Sequence, residues 1–322
     1  MTKIGKDISY AAKLLKQGEL VAIPTETVYG LAGNAFDHNT VTKIYQVKNR
    51  PVYNPLIVHI ADLSTLYSVT DKKIPAIAIK LMEKFWPGPL TLLLPKNKNI
   101  PQIVTSGLPN VAVRIPNHPL TTKLLRQLDF PLVAPSANRF GYISPTSPNH
   151  VFQQFAEKNP YILDGGACSA GIESTIVGFD DDTVVIYRLG AVTPGEIFRV
   201  AKKIRVNEKD SIVPLSPGML PHHYAPSTPL YMTNNVSELL LHFNPAEVGI
   251  ISLNKTFQKV PIQQQIKLSA EEDLKEAARN LYKALYQLDM MKLKVILTEK
   301  MPDTGLGITI NDRLMRASSK NN

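Results

Sequence analysis

The chain has a single cysteine, Cys168, among 322 residues. One thiol excludes an intrachain disulfide framework and any zinc site built from several cysteines. Aromatic residues make up 7%, few for the stacking platforms that bind single-stranded nucleic acid. No apolar run approaches the roughly 20 residues of a membrane-spanning helix. The opening residues MTKIGKDISY contain no apolar h-region, so no secretory signal and a cytoplasmic location are expected. G-x-x-x-x-G-K-[ST], H-E-x-x-H and G-x-S-x-G are missing. The lone G-x-G of Gly305 and Gly307 reads as a turn or helix start. His222-His223 is an isolated pair with too few companions to hold a metal. An enzyme without these signatures must work by positioning and charge, not through a covalent side-chain intermediate.

Hydrophobic residues make up 44% of the chain, enough for one large domain or two smaller ones. The formal net charge is +9 and is spread over both halves. Its densest stretch, Arg199, Lys202, Lys203, Arg205 and Lys209, reads as a helix face followed by a linker. A basic balance suits anionic substrates such as nucleotides. It also raises a rival reading, an RNA-binding module, but no basic run is interleaved with aromatics.

The first 200 residues alternate apolar runs with helical patterns. Strands are expected at 20–23, 56–60, 91–94, 111–115, 132–134, 161–163, 174–179 and 183–189. Helices are expected after Asp7, over 40–48 with Thr40 as cap, over 77–85, near 119–128, and after a Thr193–Glu196 capping box. These predict a mixed α/β domain with a large sheet over 1–205. Prolines crowd 206–228, which reads as an extended linker. Over 229–322, VGIISL and LKVILTE read as buried strands, and Ser269 with Glu272 reads as a capping box opening a long helix. A small C-terminal Rossmann-like α/β layer follows from that pattern.

Three stretches set polar groups just after buried strands, where α/β sheets commonly bind ligands. In PTETVYGL (24–31), Thr25, Glu26 and Thr27 precede Gly30, which permits a turn. In KNRPVYNPLIVHI (48–60), Lys48 and Arg50 are two residues apart at a helix end, and Asn54 and His59 follow. Two fixed cations converging on one point suit a phosphate. In VAPSANRFGYISPT (133–146), Ser136, Asn138 and Ser144 follow a strand, in a pattern that serves either ordinary turns or an anion or ribose site. Arg114, inside VAVRIP, is a charge in an apolar strand and calls for a buried anionic partner.

PTETVYGL, the K-x-R of Lys48 and Arg50, NPLIVHI, FWPGPLTLLL, VAVRIP, APSAN, ESTIV, YRLGAV, SPGMLPHHYAP and GLGITINDRLMRAS occur in this order. Together they resemble the YrdC-like family in its long, two-domain form. The resemblance implies a mixed twisted YrdC-like sheet with helices as the catalytic domain, a linker that acts as a lid, and a small C-terminal domain. It implies a nucleotidyltransferase that makes L-threonylcarbamoyladenylate and pyrophosphate from L-threonine, bicarbonate and ATP. It places Lys48 and Arg50 at the reaction, with Mg²⁺ assisting on the phosphates. It puts Thr27, His59, Arg114, Ala134 and Ser174 at threonine. It puts Arg50, Asn54, Asn110, Ser136, Asn138, Ser144, Arg188, His223 and Tyr224 at ATP. The product would pass to a separate tRNA threonylcarbamoyl transferase, with direct tRNA contact weak and no membrane partner. Two departures from the family pattern stand out: Phe140 in place of a serine, and Leu220-Pro221 where relatives carry basic residues.

Overall fold

The computed structural model describes residues 4–71, 73–155, 160–207 and 223–318. Most of the expected linker, including Leu220, Pro221 and His222, lies outside the described residues.

The first sheet has eleven strands. They are β1 (Ile4–Gly5), β2 (Val21–Ile23), β3 (Gly30–Asn34), β4 (Ile57–His59), β5 (Leu90–Pro95), β6 (Asn110–Arg114), β7 (Leu132–Val133), β8 (Tyr161–Leu163), β9 (Thr175–Asp180), β10 (Thr183–Arg188) and β11 (Ile204–Val206). Their spatial order is β1-β8-β2-β3-β7-β4-β6-β5-β9-β10-β11. Parallel pairs (β4 with β6, β5 with β9) alternate with antiparallel ones (β3 with β7, β5 with β6), so the sheet is mixed, as the sequence predicts.

Its helices are α1 (Ile8–Lys16), α2 (His38–Lys48), α3 (Leu66–Val69), α4 (Ala76–Phe85), α5 (Gln102–Thr105), α6 (Pro119–Leu125), α7 (Pro148–Phe155) and α8 (Pro194–Ala201). Strand side chains alternate between the two faces. Val58, Leu92, Val113 and Val177 pack with Val41 and Ile44 of α2 and Leu81 of α4. Val21, Ile23 and Leu132 face the other way, onto Ala11 and Leu15 of α1 and Leu124 of α6. By the same alternation, Ile57, His59, Ala112 and Arg114 share the face opposite Val58 and Val113.

The second sheet is wholly parallel, in the order β12 (Leu230–Thr233), β15 (Val295–Glu299), β13 (Val248–Ser252), β14 (Gln265–Lys267). It carries α9 (Val236–Leu239), α10 (Leu274–Met290) and α11 (Leu306–Ser318). Val28, Ile143 and Ile172 of the first unit share one apolar cluster with Leu281, Leu285, Ile310 and Leu314 of α10 and α11. The two units are therefore joined by a common core. No described helix is long and apolar enough to cross a membrane.

Three local expectations are corrected. Asp37, not Thr40, caps α2, because its carboxylate accepts from the Asn39 and Thr40 amides and so starts the helix earlier. Helix α10 starts at Leu274 under an Asp273 cap, not from a Ser269–Glu272 box. Glu272 sits at φ +57°, outside helical geometry, and Ser269 bonds Glu276 instead. Gly30 opens β3, where a turn was expected; an added Cβ would lie 2.9 Å from the Ala134 Cβ. The Thr193–Glu196 capping box is present as predicted.

Candidate active site

The parallel register of β4 and β6 sets His59 beside Arg114 at the carboxyl ends of both strands. Arg114 is buried, and its Nη1 donates to Thr27 Oγ1 at 3.0 Å and its Nε to Gly88 O at 3.1 Å. Its Nη2 lies 2.6 Å from Glu26 Oε1, an ion pair set off the hydrogen-bond direction. The other Glu26 oxygen accepts from the Asn117 amide at 3.0 Å. Glu26 is thus the anionic partner that Arg114 required. Thr25 ties the turn together, donating to Val28 O at 2.6 Å and lying 2.8 Å from Thr27 Oγ1. Burial, then the charge of Arg114, holds the His59 imidazole down to about 3, so this ring is neutral at physiological pH. Its Nδ1 is buried without a partner. Ser174, just before β9, lies 2.8 Å from Thr91 Oγ1, and its carbonyl accepts from Arg188 Nη2 at 2.8 Å.

The second cationic group comes from the end of α2. Asn49 takes left-handed geometry at φ +52° and turns the chain so that Lys48 and Arg50 both point inward. Arg50 Nη2 donates to Asn54 Oδ1 at 2.6 Å and to Pro55 O at 2.8 Å. Burial lowers Arg50 to about 10. Lys48 is held well below its usual value, first by burial and then by Arg50. Its Nζ donates to the carbonyls of Ser136 and Asn138, both at 2.5 Å. Lys48 therefore fastens the 135–138 turn from behind.

His223 and Tyr224 close the space over these groups. The bridge of Ala225 to Tyr142 and the bond from the Ala225 amide to Gly141 O anchor this segment. Tyr224 sits at φ +68°, an uncommon backbone geometry for a bulky residue, which clusters at functional sites. Phe140 meets His223 edge-on at 5.8 Å, so a ring contact stands where the family's serine would offer a hydroxyl. Burial drives His223 down to about 3. Glu173 faces the same space. Burial pushes its carboxyl up, but Arg313 and Arg188 outweigh that and bring it down to about 2.

These groups line a cleft with about 570 Å³ of non-atom space, counting the solvent at its open side. Of the residues expected at a site, Thr27, Arg50, His59, Arg114, Ala134, Ser136, Ser174, Arg188, His223 and Tyr224 line it. Lys48, Asn54, Asn138 and Ser144 are buried but do not line it. Lys48, expected at the reacting atoms, is placed behind the wall because two carbonyls engage its ammonium. Asn110 is placed away from the pocket: it begins β6 and is exposed, four residues before Arg114. Strand geometry separates the two by about 13 Å. Sequence reasoning left Glu26 and Glu173 without a role. Glu26 was legible as the missing counter-charge of Arg114, whereas Glu173 has partners more than a hundred residues away. On the pocket wall, His59 Nδ1, His223 Nδ1 and the Tyr224 hydroxyl are buried without partners. Such orphans are rare in native cores and leave these three groups free to bond a ligand or water.

A mixed α/β sheet with a cationic pocket, joined to a small parallel α/β unit, defines a two-domain YrdC-like protein. The chain belongs to that family: residues 13–190 match the Sua5, YciO and YrdC family described as "Telomere recombination". Residues 191–319 match the family described as "Threonylcarbamoyl-AMP synthase, C-terminal domain". A threonylcarbamoyl-AMP synthase of Bacillus subtilis is 41% identical, over 97% of this chain and 92% of the relative. One from Pyrococcus abyssi is 40% identical, over 97% of this chain and 94% of the relative. The crystal structure of P. abyssi Sua5 complexed with L-threonine superposes with a TM-score of 0.90 at 38% identity, covering 99% of this chain and 97% of that one.

Proposed function

We propose that this protein makes L-threonylcarbamoyl-AMP from L-threonine, bicarbonate and ATP, with release of pyrophosphate. The observation that carries this reading is the convergence of Arg50, Arg114 and Arg188 on one pocket that also contains orphaned neutral donors and acceptors. The relatives that match nearly the whole chain bear the name of that activity. Arg114 takes the threonine carboxylate, with Thr27, His59, the Ala134 backbone and Ser174 around the rest of the amino acid. Arg50 and Arg188 take the phosphates, with Ser136, His223 and Tyr224 around the nucleotide. Lys48, Asn54, Asn138 and Ser144 support that half from behind.

The threonine amine attacks the bicarbonate carbon, forming the C–N bond of a carbamate as a C–O bond breaks and water leaves. Its carboxylate oxygen attacks the α-phosphorus, and the bond from that phosphorus to the pyrophosphate oxygen breaks. The substrate thus supplies the nucleophile. The protein aligns two anions and balances their charge in a space that His223 and Tyr224 keep from water. Among the described residues no group of three or more metal-ligating side chains exists. Among the described residues Glu173 is the only carboxylate on the pocket wall, and Arg313 and Tyr282 engage it. Mg²⁺ carried by the triphosphate would add to the charge balance that Arg50 and Arg188 supply there. The mixed anhydride product suits a separate tRNA threonylcarbamoyl transferase as its consumer.

Pyrophosphate release from the purified protein with ATP and Mg²⁺, omitting threonine and bicarbonate in turn, tests this. The reading predicts release that needs both, with a product of threonylcarbamoyl-AMP mass. Release without threonine would contradict it.

A further inference from the structure

The second unit reaches the pocket wall through two side chains, Arg313 and Tyr282. Arg313, on α11, is 1% exposed. Its Nε donates to Glu173 Oε2 at 2.8 Å, its Nη2 to the Leu189 carbonyl at 2.6 Å, and its Nη1 to Asp312. Its guanidinium carbon lies 4.9 Å from the centroid of the Tyr224 ring. From α10, the Tyr282 hydroxyl sits 3.0 and 2.9 Å from the two Glu173 oxygens, and its ring stacks on Tyr224 at 5.8 Å.

A buried ion pair is weak evidence for stability, since well-packed apolar groups often serve as well. Here each segment that Arg313 grips belongs to the pocket or adjoins it. Glu173 and Tyr224 line the wall, and Leu189 follows Arg188, which also lines it. Tyr224 is in an unfavourable backbone region and needs outside support to stay there. Arg114 itself is set by Thr27, Gly88 and Glu26, none of which Arg313 touches.

We infer that Arg313 is a positioning residue for the nucleotide half of the pocket. By fixing Glu173, the Leu189 carbonyl and the Tyr224 ring, it makes the docked second domain part of the catalytic apparatus. This inference rests on the synthase reading above. It differs from a purely structural role in what it leaves untouched, because Arg114, the anchor for the threonine carboxylate, is held without Arg313.

The test is Arg313→Met in the full-length chain, read by calorimetric L-threonine binding and by steady-state pyrophosphate release. The expected result is threonine affinity within threefold of wild type and a kcat at least tenfold lower. Tyr282→Phe removes only a hydroxyl that bonds Glu173, so it provides the test if Arg313→Met does not fold; a kcat at least threefold lower is expected, again with threonine binding kept. Unchanged kcat in the folded variants would overturn the inference. So would threonine affinity falling in step with kcat, the mark of general disruption. Wild-type protein in the same assay separates the two readings: if it releases no pyrophosphate the synthase reading fails, and this inference fails with it.

Discussion

At the scale of single residues, the site is a set of buried charges that hold one another in place. Arg114 was legible as a charge in an apolar strand, and its partner Glu26 lies three positions before Tyr29 in the PTETVYGL stretch. Lys48 and Arg50 were legible as a pair, but not the division between them. The left-handed Asn49 that ends α2 sends Lys48 to the Ser136 and Asn138 carbonyls and Arg50 to Asn54 and Pro55. A spacing of two in sequence cannot show which carbonyls wait in a turn ninety residues away. Lys48→Met leaves those two carbonyls unpaired but relieves a buried cation, effects of opposite sign and each of about 1–3 kcal/mol. The expected outcome is a small change in melting temperature, threonine binding within threefold of wild type, and pyrophosphate release at least tenfold slower. Calorimetry and the release assay measure the two functions separately.

At the scale of elements, strands that alternate or run apolar were read nearly to their ends, because burial fixes their composition. The short edge strands β1, β11, β12 and β14 were missed: they are two to four residues long and mostly half-buried or exposed. Strand β3 was hidden by its two glycines, which read as turn signals although they serve close packing. Caps were readable where a box was complete, as at Thr193, and misread where a nearer carboxylate won, as at Asp37. Thr193→Ala should lower stability by about 1 kcal/mol through loss of the α8 cap, measured by urea unfolding. Gly190 is more demanding. A Cβ there would lie 2.4 Å from the Ser174 carbonyl carbon and the Thr175 amide, and 2.5 Å from Glu173 O. Gly190→Ala must therefore displace the start of β9. It is expected to cut threonine binding at least tenfold, whereas Thr193→Ala should leave binding unchanged.

At the scale of the whole molecule, the second unit's existence was readable from its buried strands and long amphipathic helix. Its part in the pocket was not, because Arg313 and Tyr282 meet Glu173 more than a hundred residues away in sequence. Stability should also depend on pH through groups spread across both units. His59 and His223 are held at about 3 and His150 at about 4, each by burial first. A histidine lowered below its unfolded value of about 6.5 stabilises the fold above that pH. That stability is lost as pH falls towards the folded value, by about 1.4 kcal/mol per unit per ring. Glu173, lowered to about 2, adds a loss of the same sign below its ordinary value of 4.5. Urea midpoints should therefore drop steeply from pH 7 to pH 5. His150→Gln, which removes a ring stacked on Tyr286 outside the pocket wall, should make that drop shallower.

The central claim is that one pocket binds threonine at Arg114 and nucleotide at Arg50 and Arg188. Titration of L-threonine and of ATP into wild-type, Arg114→Lys and Arg50→Lys protein tests it most directly, since both variants keep the local charge. The account predicts that Arg114→Lys weakens threonine binding at least tenfold with ATP within threefold, and that Arg50→Lys does the reverse. Equal loss of both ligands in either variant, or threonine binding that follows Arg50 and ignores Arg114, would contradict it.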